Sequence, residues 1–264
     1  MGSGRELAHV FTYAGVAEAY RYRPAYPAEV FAALQKLMVD ERRTVLDLGA
    51  GDGALARQLA ARADRVDAVE ISEAMVAAGR RRSGGQRPNL RWIIGAAETC
   101  ELFGPYALIT AGASLHWMSW PRLMPRLCDT LSASGVLAVV EHGPRELPWQ
   151  DDIVEVVRRH SRSPDYDPHF SLVDALREGG FFNPVGHTET VPVLFRQPIQ
   201  EYIEQFHSTA SLARELMATD EATAFGAAAH RAVAPWARNG VLEMAVVASV
   251  HWGQPTVPPA PWSE

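Results

Sequence analysis

Short apolar runs alternate with helical patterns over the first 145 residues of the chain. Val45, Leu46 and Leu48 form a run rich in branched side chains, which is typical of a buried parallel strand. Leu55 and Leu59 then share one face of a helix that we expect to begin at Ala54. Four similar runs predict further strands: Val66–Glu70, Leu90–Ile94, Leu108–Ala111 and Gly135–His142. The alternation predicts a parallel sheet with helices on both faces.

The pattern changes in the second half of the chain. Val185 to Phe195 predicts one long strand, and Val241 to Trp252 predicts the last strand, antiparallel to its neighbour. Residues 146–170 and 198–238 are mostly helical and predict cap insertions. The fold class is therefore α/β, a Rossmann-like, mostly parallel sheet of seven strands with a helical cap, in one domain over residues 1–264.

Three glycines follow the first predicted strand. Gly49, Gly51 and Gly53 are spaced G-x-G-x-G and lie between that strand and the next helix. Glycine permits positive φ and the close approach of a ligand. The amides at the start of the helix suit a carboxylate or phosphate. The strand, glycine turn and helix together predict a nucleotide-binding loop.

A carboxylate ends the second predicted strand. Glu70 lies 21 residues after Gly49. In dinucleotide-type folds an acidic residue at this place accepts hydrogen bonds from the ribose hydroxyls. We therefore expect Glu70 to bind the sugar of a nucleoside.

Four motifs, LDLGAGDG, AVEIS, GAAE and ITAGASLHW, follow one another in this order. This set resembles the class I S-adenosylmethionine-dependent methyltransferases, and the small residues before His116-Trp117 resemble the trans-aconitate methyltransferase group. The resemblance implies S-adenosylmethionine as cofactor. It also implies a set of cofactor-binding positions on these motifs: Asp47, Gly49, Ala50, Gly51, Glu70, Ile71, Met75, Ala97, Glu98 and Ala111.

The segment before the first strand is rich in aromatic side chains. Residues 20–27, YRYRPAYP, resemble the lead-in of some small-molecule methyltransferases, in which this segment closes over the cofactor. By that resemblance residues 1–27 are a lid, and Tyr20 and Arg23 contact the methionine carboxylate. The alternative is an aromatic helix that only packs on the sheet, because buried aromatic side chains mostly serve packing.

His116 is the candidate catalytic residue. It follows the fourth strand, and the carboxyl ends of the strands flank the ligand crevice of such a sheet. The small residues Ala111, Gly112 and Ala113 are expected to leave room for the sulfonium end of the cofactor. An imidazole can remove a proton near neutral pH. The alternative is a histidine that only shapes the pocket.

Charge and composition exclude several classes of function. The formal net charge is −6 and the pI is about 5.9, which argues against a nucleic-acid partner. We expect no membrane partner and a cytoplasmic location, because the sequence has neither a long apolar segment nor a signal sequence. The two cysteines suggest no metal site. Heavy use of arginine and alanine suggests a bacterial source, and the oligomeric state stays open.

The function expected from these observations is methyl transfer from S-adenosylmethionine to a small-molecule metabolite or natural product, most simply on oxygen. One alternative is a carboxyl-directed methyltransferase of a small organic acid. Another is a protein that binds S-adenosylmethionine without transferring the methyl group, because fold alone does not fix function.

Overall fold

A computed structural model describes residues 8–162 and 170–259 of the chain. Parts of the predicted lid (1–27) and of the predicted insertion 146–170 lie outside these residues. Within them, eight strands form one sheet. The strands are β1 (Thr44–Leu48), β2 (Arg65–Glu70), β3 (Leu90–Ile94), β4 (Tyr106–Gly112), β5 (Leu131–Arg145), β6 (Phe182–Glu189), β7 (Val193–Pro198) and β8 (Val241–Pro255).

Helices occupy most of the segments between the strands. The α-helices of the described residues are α1 (Ala14–Ala19), α2 (Ala28–Leu37), α3 (Ala56–Leu59), α4 (Glu73–Arg81), α5 (Trp120–Thr130), α6 (Gln150–His160), α7 (Leu172–Glu178), α8 (Ile199–Glu204) and α9 (Thr219–Val233). None of these helices has the length and hydropathy that a bilayer-spanning helix requires.

The strand order is β3-β2-β1-β4-β5-β8-β6, and β7 also pairs with β8. β1 pairs in parallel with β2 and with β4, and the pairs β2–β3 and β4–β5 are parallel as well. The predicted Rossmann-like α/β fold is confirmed. Because the strand order changes direction between β1 and β4, the carboxyl ends of these two strands mark the expected ligand crevice.

Two expectations about single elements were wrong. The long strand predicted from Val185 to Phe195 is two strands, β6 and β7, each antiparallel to β8. The register shifts between the pairs Glu189↔Ser249 and Val193↔Val246, because Pro192 has no amide to continue the ladder. The helix expected from Ala54 begins at Ala56, since residues 51–55 form turns.

The chain divides into two compact units. The first, the helical unit, comprises residues 8–25, 143–162 and 191–247 of the described chain. The second, the sheet unit, comprises residues 26–142, 171–190 and 248–259. The helical unit has its own apolar core, in which Trp149, Tyr202 and Phe225 are buried.

The sheet unit has one apolar cluster on each face of the sheet. Along β5, Ala138 and Val140 belong to one cluster, whereas Leu137 and Val139 belong to the other. This alternation follows from the period of two in a strand. Because both faces are covered, the strands could be recognised as continuous apolar runs.

Several carboxyl groups interrupt the apolar interior of the sheet unit, and the most deeply buried of them is on β2. Asp67 on β2 has no solvent exposure. Its oxygens accept hydrogen bonds from Arg91 Nε at 2.9 Å and Arg91 Nη2 at 2.7 Å. The Tyr106 hydroxyl donates to Asp67 Oδ2 at 2.8 Å and accepts from the Phe103 amide at 2.9 Å. One oxygen of Tyr106 therefore serves a buried carboxylate and a partly buried amide.

Tyr106→Phe removes this hydroxyl and leaves the Phe103 amide without its acceptor. We expect the free energy of unfolding to fall by about 1–3 kcal/mol, the usual cost of an unsatisfied buried polar group. Urea denaturation followed by circular dichroism measures this loss. Tyr22→Phe is the matched control, since the Tyr22 hydroxyl bonds the exposed Arg21 side chain. Equal stability of wild type and Tyr106→Phe would contradict the assigned role.

Candidate functional site

The loop after β1 is held in a conformation that requires glycine. Gly49, Gly51 and Gly53 have φ angles of 61°, 57° and 77°, in the left-handed region. The Ala50 amide donates to Val69 O at 2.9 Å, which ties the loop to β2. The predicted nucleotide-binding loop is thus a rigid turn at the carboxyl end of β1.

Glu70 bridges this loop and the end of β2. Its Oε2 accepts from the Gly51 amide at 2.7 Å, and its Oε1 accepts from the Ser72 amide at 2.9 Å. The side chain is 6% exposed. Burial raises the pKa of Glu70, and the amide hydrogen bonds oppose that rise. Each oxygen still has a second lone pair, so the carboxylate can accept further hydrogen bonds.

This bridge corrects one expectation from the sequence. We expected the loop amides to be bare and ready for the carboxylate end of a cofactor. Instead, Glu70 takes the Gly51 amide and Asp47 takes the Ala56 amide. α3 is also only four residues long, so its dipole is small. The carboxylate at the end of β2 organises the loop before any ligand arrives.

Asp47 joins three elements of the sheet unit. Its Oδ2 accepts from the Ala56 amide at 3.1 Å, and its Oδ1 accepts from Thr110 Oγ1 at 2.7 Å. The residue is 1% exposed. Burial raises the pKa of Asp47 to about 7. These contacts fix β1, β4 and the start of α3, and direct cofactor contact by Asp47 stays a prediction.

An apolar surface lies beside Glu70. Ile71 is 51% exposed and Ile94 is 48% exposed, and Ile94 is the register partner of Glu70 on β3. Large exposed apolar side chains at adjacent strand ends are suited to the flat face of a base. The carboxylate is suited to the ribose hydroxyls of a nucleoside, and the apolar surface is suited to its base.

Several predicted cofactor positions lie inside the core. Met75, Ala97 and Ala111 are 1%, 4% and 0% exposed. Their side chains present almost no surface to a ligand. Any contact that they make with a cofactor would therefore involve backbone atoms, and their role stays a prediction.

Glu98 has a partner within the sheet unit. Its Oε1 accepts from the Ser119 amide at 2.7 Å, immediately before α5. The carboxylate thus stabilises the start of that helix, where an anion is favoured. Recognition of adenine by Glu98 stays a prediction.

The turn after β4 places His116. Ala113 has φ 48°, in the left-handed region, and its amide donates to Val140 O at 3.0 Å. Ser114 Oγ donates to Leu48 O at 2.6 Å. His116 follows, exposed, in the 3-10 helix Leu115–Trp117. The turn is therefore anchored to the carboxyl end of β1 and to Val140 within β5, and its one histidine is accessible.

The space expected beside the small residues of this turn is partly filled. A Cβ added at Gly112 would lie 2.5 Å from the Tyr26 hydroxyl. The Tyr26 ring in turn lies 3.9 Å from the His142 ring, between ring centres. The expectation that residues 111–113 leave open room was therefore wrong at Gly112. Sequence reasoning missed Tyr26, although its place in the YRYRPAYP segment was a usable signal.

Glu141 is a further titratable group on β5, next to the level at which β4 ends. It is partly buried, and burial raises the pKa of its carboxyl. It directly follows Val140, which pairs with Gly112 at the end of β4. This position beside the His116 turn makes Glu141 a second candidate for proton transfer.

Tyr20 and Arg23 belong to the helical unit. The Arg23 guanidinium lies 4.1 Å from the centre of the Tyr20 ring. Arg23 Nε donates to Ser208 Oγ at 2.7 Å, and Nη2 donates to Ser208 O at 3.1 Å. The two predicted residues therefore contact each other, and their binding to a cofactor carboxylate stays a prediction.

The described residues contain no group of three or more His, Cys, Asp or Glu side chains that could hold a metal ion. The chemistry that this site offers thus comes from a glycine loop, a carboxylate bridge, an apolar surface and an exposed imidazole.

Comparison with known proteins decides what kind of domain this is. Residues 45–135 match the model of a family described as methyltransferase domain. Over these residues the chain is similar to methyltransferase domains.

Curated relatives share this domain at low identity. An uncharacterized methyltransferase of Mycobacterium tuberculosis is 30% identical over 141 residues, which cover 53% of this chain and 55% of the relative. A malonyl-[acyl-carrier protein] O-methyltransferase of Anoxybacillus flavithermus is 30% identical over 116 residues, which cover 43% of this chain and 44% of the relative. The chain thus spans about half the length of these relatives.

Solved structures share the fold of most of this chain. A protein from Anaeromyxobacter dehalogenans, assigned as a type II methyltransferase, has a TM-score of 0.62 at 22% identity and covers 88% of this chain and 97% of its own. A SAM-dependent methyltransferase from Thiobacillus denitrificans, crystallised with S-adenosyl-L-homocysteine, has a TM-score of 0.52 at 16% identity over 91% and 96%.

Asp47→Asn tests the buried carboxyl group near the end of β1. The pKa of Asp47 is raised from 3.8 to about 7, so between these values the folded chain keeps a proton that the unfolded chain releases. The stability of the wild type should therefore fall as the pH rises from 4 to 7, by about 1.4 kcal/mol per unit of pKa shift and a few kcal/mol in total. Asparagine can still accept from the Ala56 amide and can donate to Thr110, and it does not titrate.

The measurement is the free energy of unfolding at pH 4, 5.5 and 7 for both proteins. Relative to Asp47→Asn, the wild type should lose stability across this interval. The exposed Asp151 on α6 supplies the control Asp151→Asn, which should follow the wild type. Parallel pH curves for the wild type and Asp47→Asn would show that Asp47 is ionised throughout.

Proposed function

We propose that this protein binds S-adenosylmethionine and transfers its methyl group to a small molecule. The observation that carries the proposal is the Glu70 carboxylate, which is fixed by the Gly51 and Ser72 amides beside the exposed Ile71. The crystallised relative that binds S-adenosyl-L-homocysteine supports the choice of nucleoside.

The residues present fit this cofactor. Glu70 can accept two further hydrogen bonds, which is what the two hydroxyls of a ribose need. Ile71 and Ile94 offer an apolar face for adenine. The glycine loop brings backbone close to the ligand without side chains in the way. Glu70, Ile71 and the loop from Gly49 to Gly51 would therefore hold the nucleoside end.

S-adenosylmethionine supplies an electrophilic methyl group on a sulfonium, and its leaving group is a neutral thioether. The protein therefore has to orient the acceptor and exclude water. For a hydroxyl acceptor, His116 can take the proton from oxygen, and Glu141 can take the same role from β5. The malonyl-[acyl-carrier protein] relative, named as an O-methyltransferase, supports an oxygen acceptor.

The direct test combines binding with product analysis. Calorimetry with S-adenosyl-L-homocysteine should give a saturable one-to-one binding curve. Incubation of hydroxylated and carboxylated metabolites with S-adenosylmethionine should yield products heavier by one methylene group. Esters among them would point to a carboxyl-directed enzyme. Binding without any product would leave a nucleoside-binding protein, and absence of binding would refute the proposal.

Glu70→Ala should weaken S-adenosyl-L-homocysteine binding by about 1–3 kcal/mol, the range for a lost hydrogen bond to a charged group together with loosening of the Gly51 turn. Isothermal calorimetry gives the dissociation constant directly. Glu73→Ala removes an exposed carboxylate three residues away and should bind like the wild type. Unchanged affinity in Glu70→Ala would remove Glu70 from the cofactor site.

His116→Ala should lower kcat by about 10²–10⁴-fold if His116 is the base for a hydroxyl acceptor. The dissociation constant of S-adenosyl-L-homocysteine should stay within about twofold, since a general base acts on the acceptor and not on the nucleoside. A pH–rate profile separates the roles, because loss of the base also removes the rise of kcat with pH. A wild-type profile in His116→Ala would transfer the role to Glu141, and Glu141→Gln would then lose the rise.

A further inference from the structure

A groove of about 570 Å³ runs between two helical segments of the helical unit. One wall is a single face of α9, with Thr219, Thr223, Gly226 and His230. Their spacing follows the helical period. The opposite wall is formed by α8 and the 3-10 helix Gln205–Ser208. α9 buries Phe225, Ala229 and Val233 in the apolar core, and the groove borders that core at Ile203.

A buried imidazole lines this groove. His207 is 2% exposed, and its Nδ1 lies 2.8 Å from Leu212 O. A carbonyl oxygen only accepts, so Nδ1 carries the proton. Burial lowers the pKa of His207, which keeps the ring neutral at pH 7. Nε2 is therefore a lone-pair acceptor, and no hydrogen bond joins it to any described residue.

Glu204 supplies a second acceptor on the same wall. Its Oε1 accepts from Arg214 Nη2 at 2.6 Å and from Gln200 Nε2 at 3.0 Å. Burial raises the pKa of Glu204, but Arg214 and the other partners outweigh burial and lower it overall, so the carboxylate is ionised at neutral pH. Its Oε2 has no hydrogen bond within the described residues. The two charges cancel, and the groove offers hydrogen-bond acceptors without net charge.

Gly226 keeps the floor of the groove open. A Cβ added at this position would meet nothing within 4 Å. Glycine inside a helix is less stable than alanine, and packing gives no reason for it here. The small side chains of Ala222 and Ala227 lie on the same surface. The open space thus lies opposite the two acceptors.

We propose that this groove binds a small, uncharged, polyhydroxylated molecule of the size of a sugar or polyol. Its hydroxyl groups would donate to His207 Nε2 and Glu204 Oε2. They would also exchange hydrogen bonds with Thr219 and Thr223. A cation is disfavoured by Arg214, and an anion is disfavoured by Glu204 and the unprotonated Nε2. The site stands whether or not its occupant accepts a methyl group.

The test is nitrogen NMR of the full chain with isotope-labelled histidine. The probes are myo-inositol, D-glucose and D-mannitol, and cyclohexanol is the control that has the ring size of inositol with a single hydroxyl. We expect at least one polyol to shift the unprotonated His207 Nε2 resonance in a saturable way, whereas cyclohexanol does not. Absence of a saturable shift with all three polyols would overturn the proposal.

Substitutions on α9 and at His207 test whether the polyol binds in the groove. Gly226→Leu fills the groove and should abolish the response, whereas Ala224→Leu, at an exposed position of α9 outside the groove, should keep it. His207→Asn retains a donor for Leu212 O but lacks the acceptor at Nε2, so affinity read from the Gly226 amide should fall about tenfold. Wild-type affinity in Gly226→Leu would overturn the site.

A last measurement shows whether the bound polyol is a methyl acceptor. The polyol that binds is incubated with S-adenosylmethionine, and its mass is determined. A gain of one methylene group identifies the groove as the acceptor site, and an unchanged mass identifies a separate ligand site. Either result leaves the groove in place, because the NMR shift establishes binding independently of methyl transfer.

Discussion

The hydrogen bonds of the Glu70 carboxylate are the constraint on which the sheet unit's site depends. One oxygen holds the Gly51 amide and the other holds the Ser72 amide, so a single side chain fixes the glycine loop and the start of α4. Ser72 in turn caps α4, because its hydroxyl accepts from the Met75 amide. A buried carboxylate is costly without partners. Here the partners are the Gly51 and Ser72 amides, which belong to the glycine loop and to the start of α4.

Asp47 performs a similar task one strand away. It ties the start of α3 to β1 and to Thr110 on β4. Two acidic side chains therefore hold the carboxyl ends of the strands where the strand order changes direction. Both are almost fully buried, and burial raises the pKa of each. Hydrogen bonds within the protein fix these two side chains. A ligand would bind to the remaining lone pairs of the carboxyl groups and to the exposed apolar side chains beside them.

The sequence predicts much of this fold because the strands of the sheet unit are buried on both faces. Such strands are continuous apolar runs, and Leu90–Ile94 was predicted with the bounds that the structure shows. The position of Glu70 was predictable from its spacing to Gly49. Its partners were not, because a hydrogen bond to a loop amide leaves no mark in the order of residues. The packing of Tyr26 beside Gly112 is a tertiary contact, which local patterns do not encode, whereas Pro192 was a sequence signal against one continuous strand.

Gly49 in the glycine loop packs against Ser114 in the turn that carries His116. A Cβ on Gly49 would lie 2.7 Å from Ser114 Cβ, so the glycine loop and the turn that carries His116 are in direct contact. Close-packed groups transmit displacement, because no gap absorbs it. A ligand that moves the loop by a fraction of an ångström therefore moves the histidine turn as well. If two reactants bind on either side of this contact, each should change the affinity of the other by the same factor.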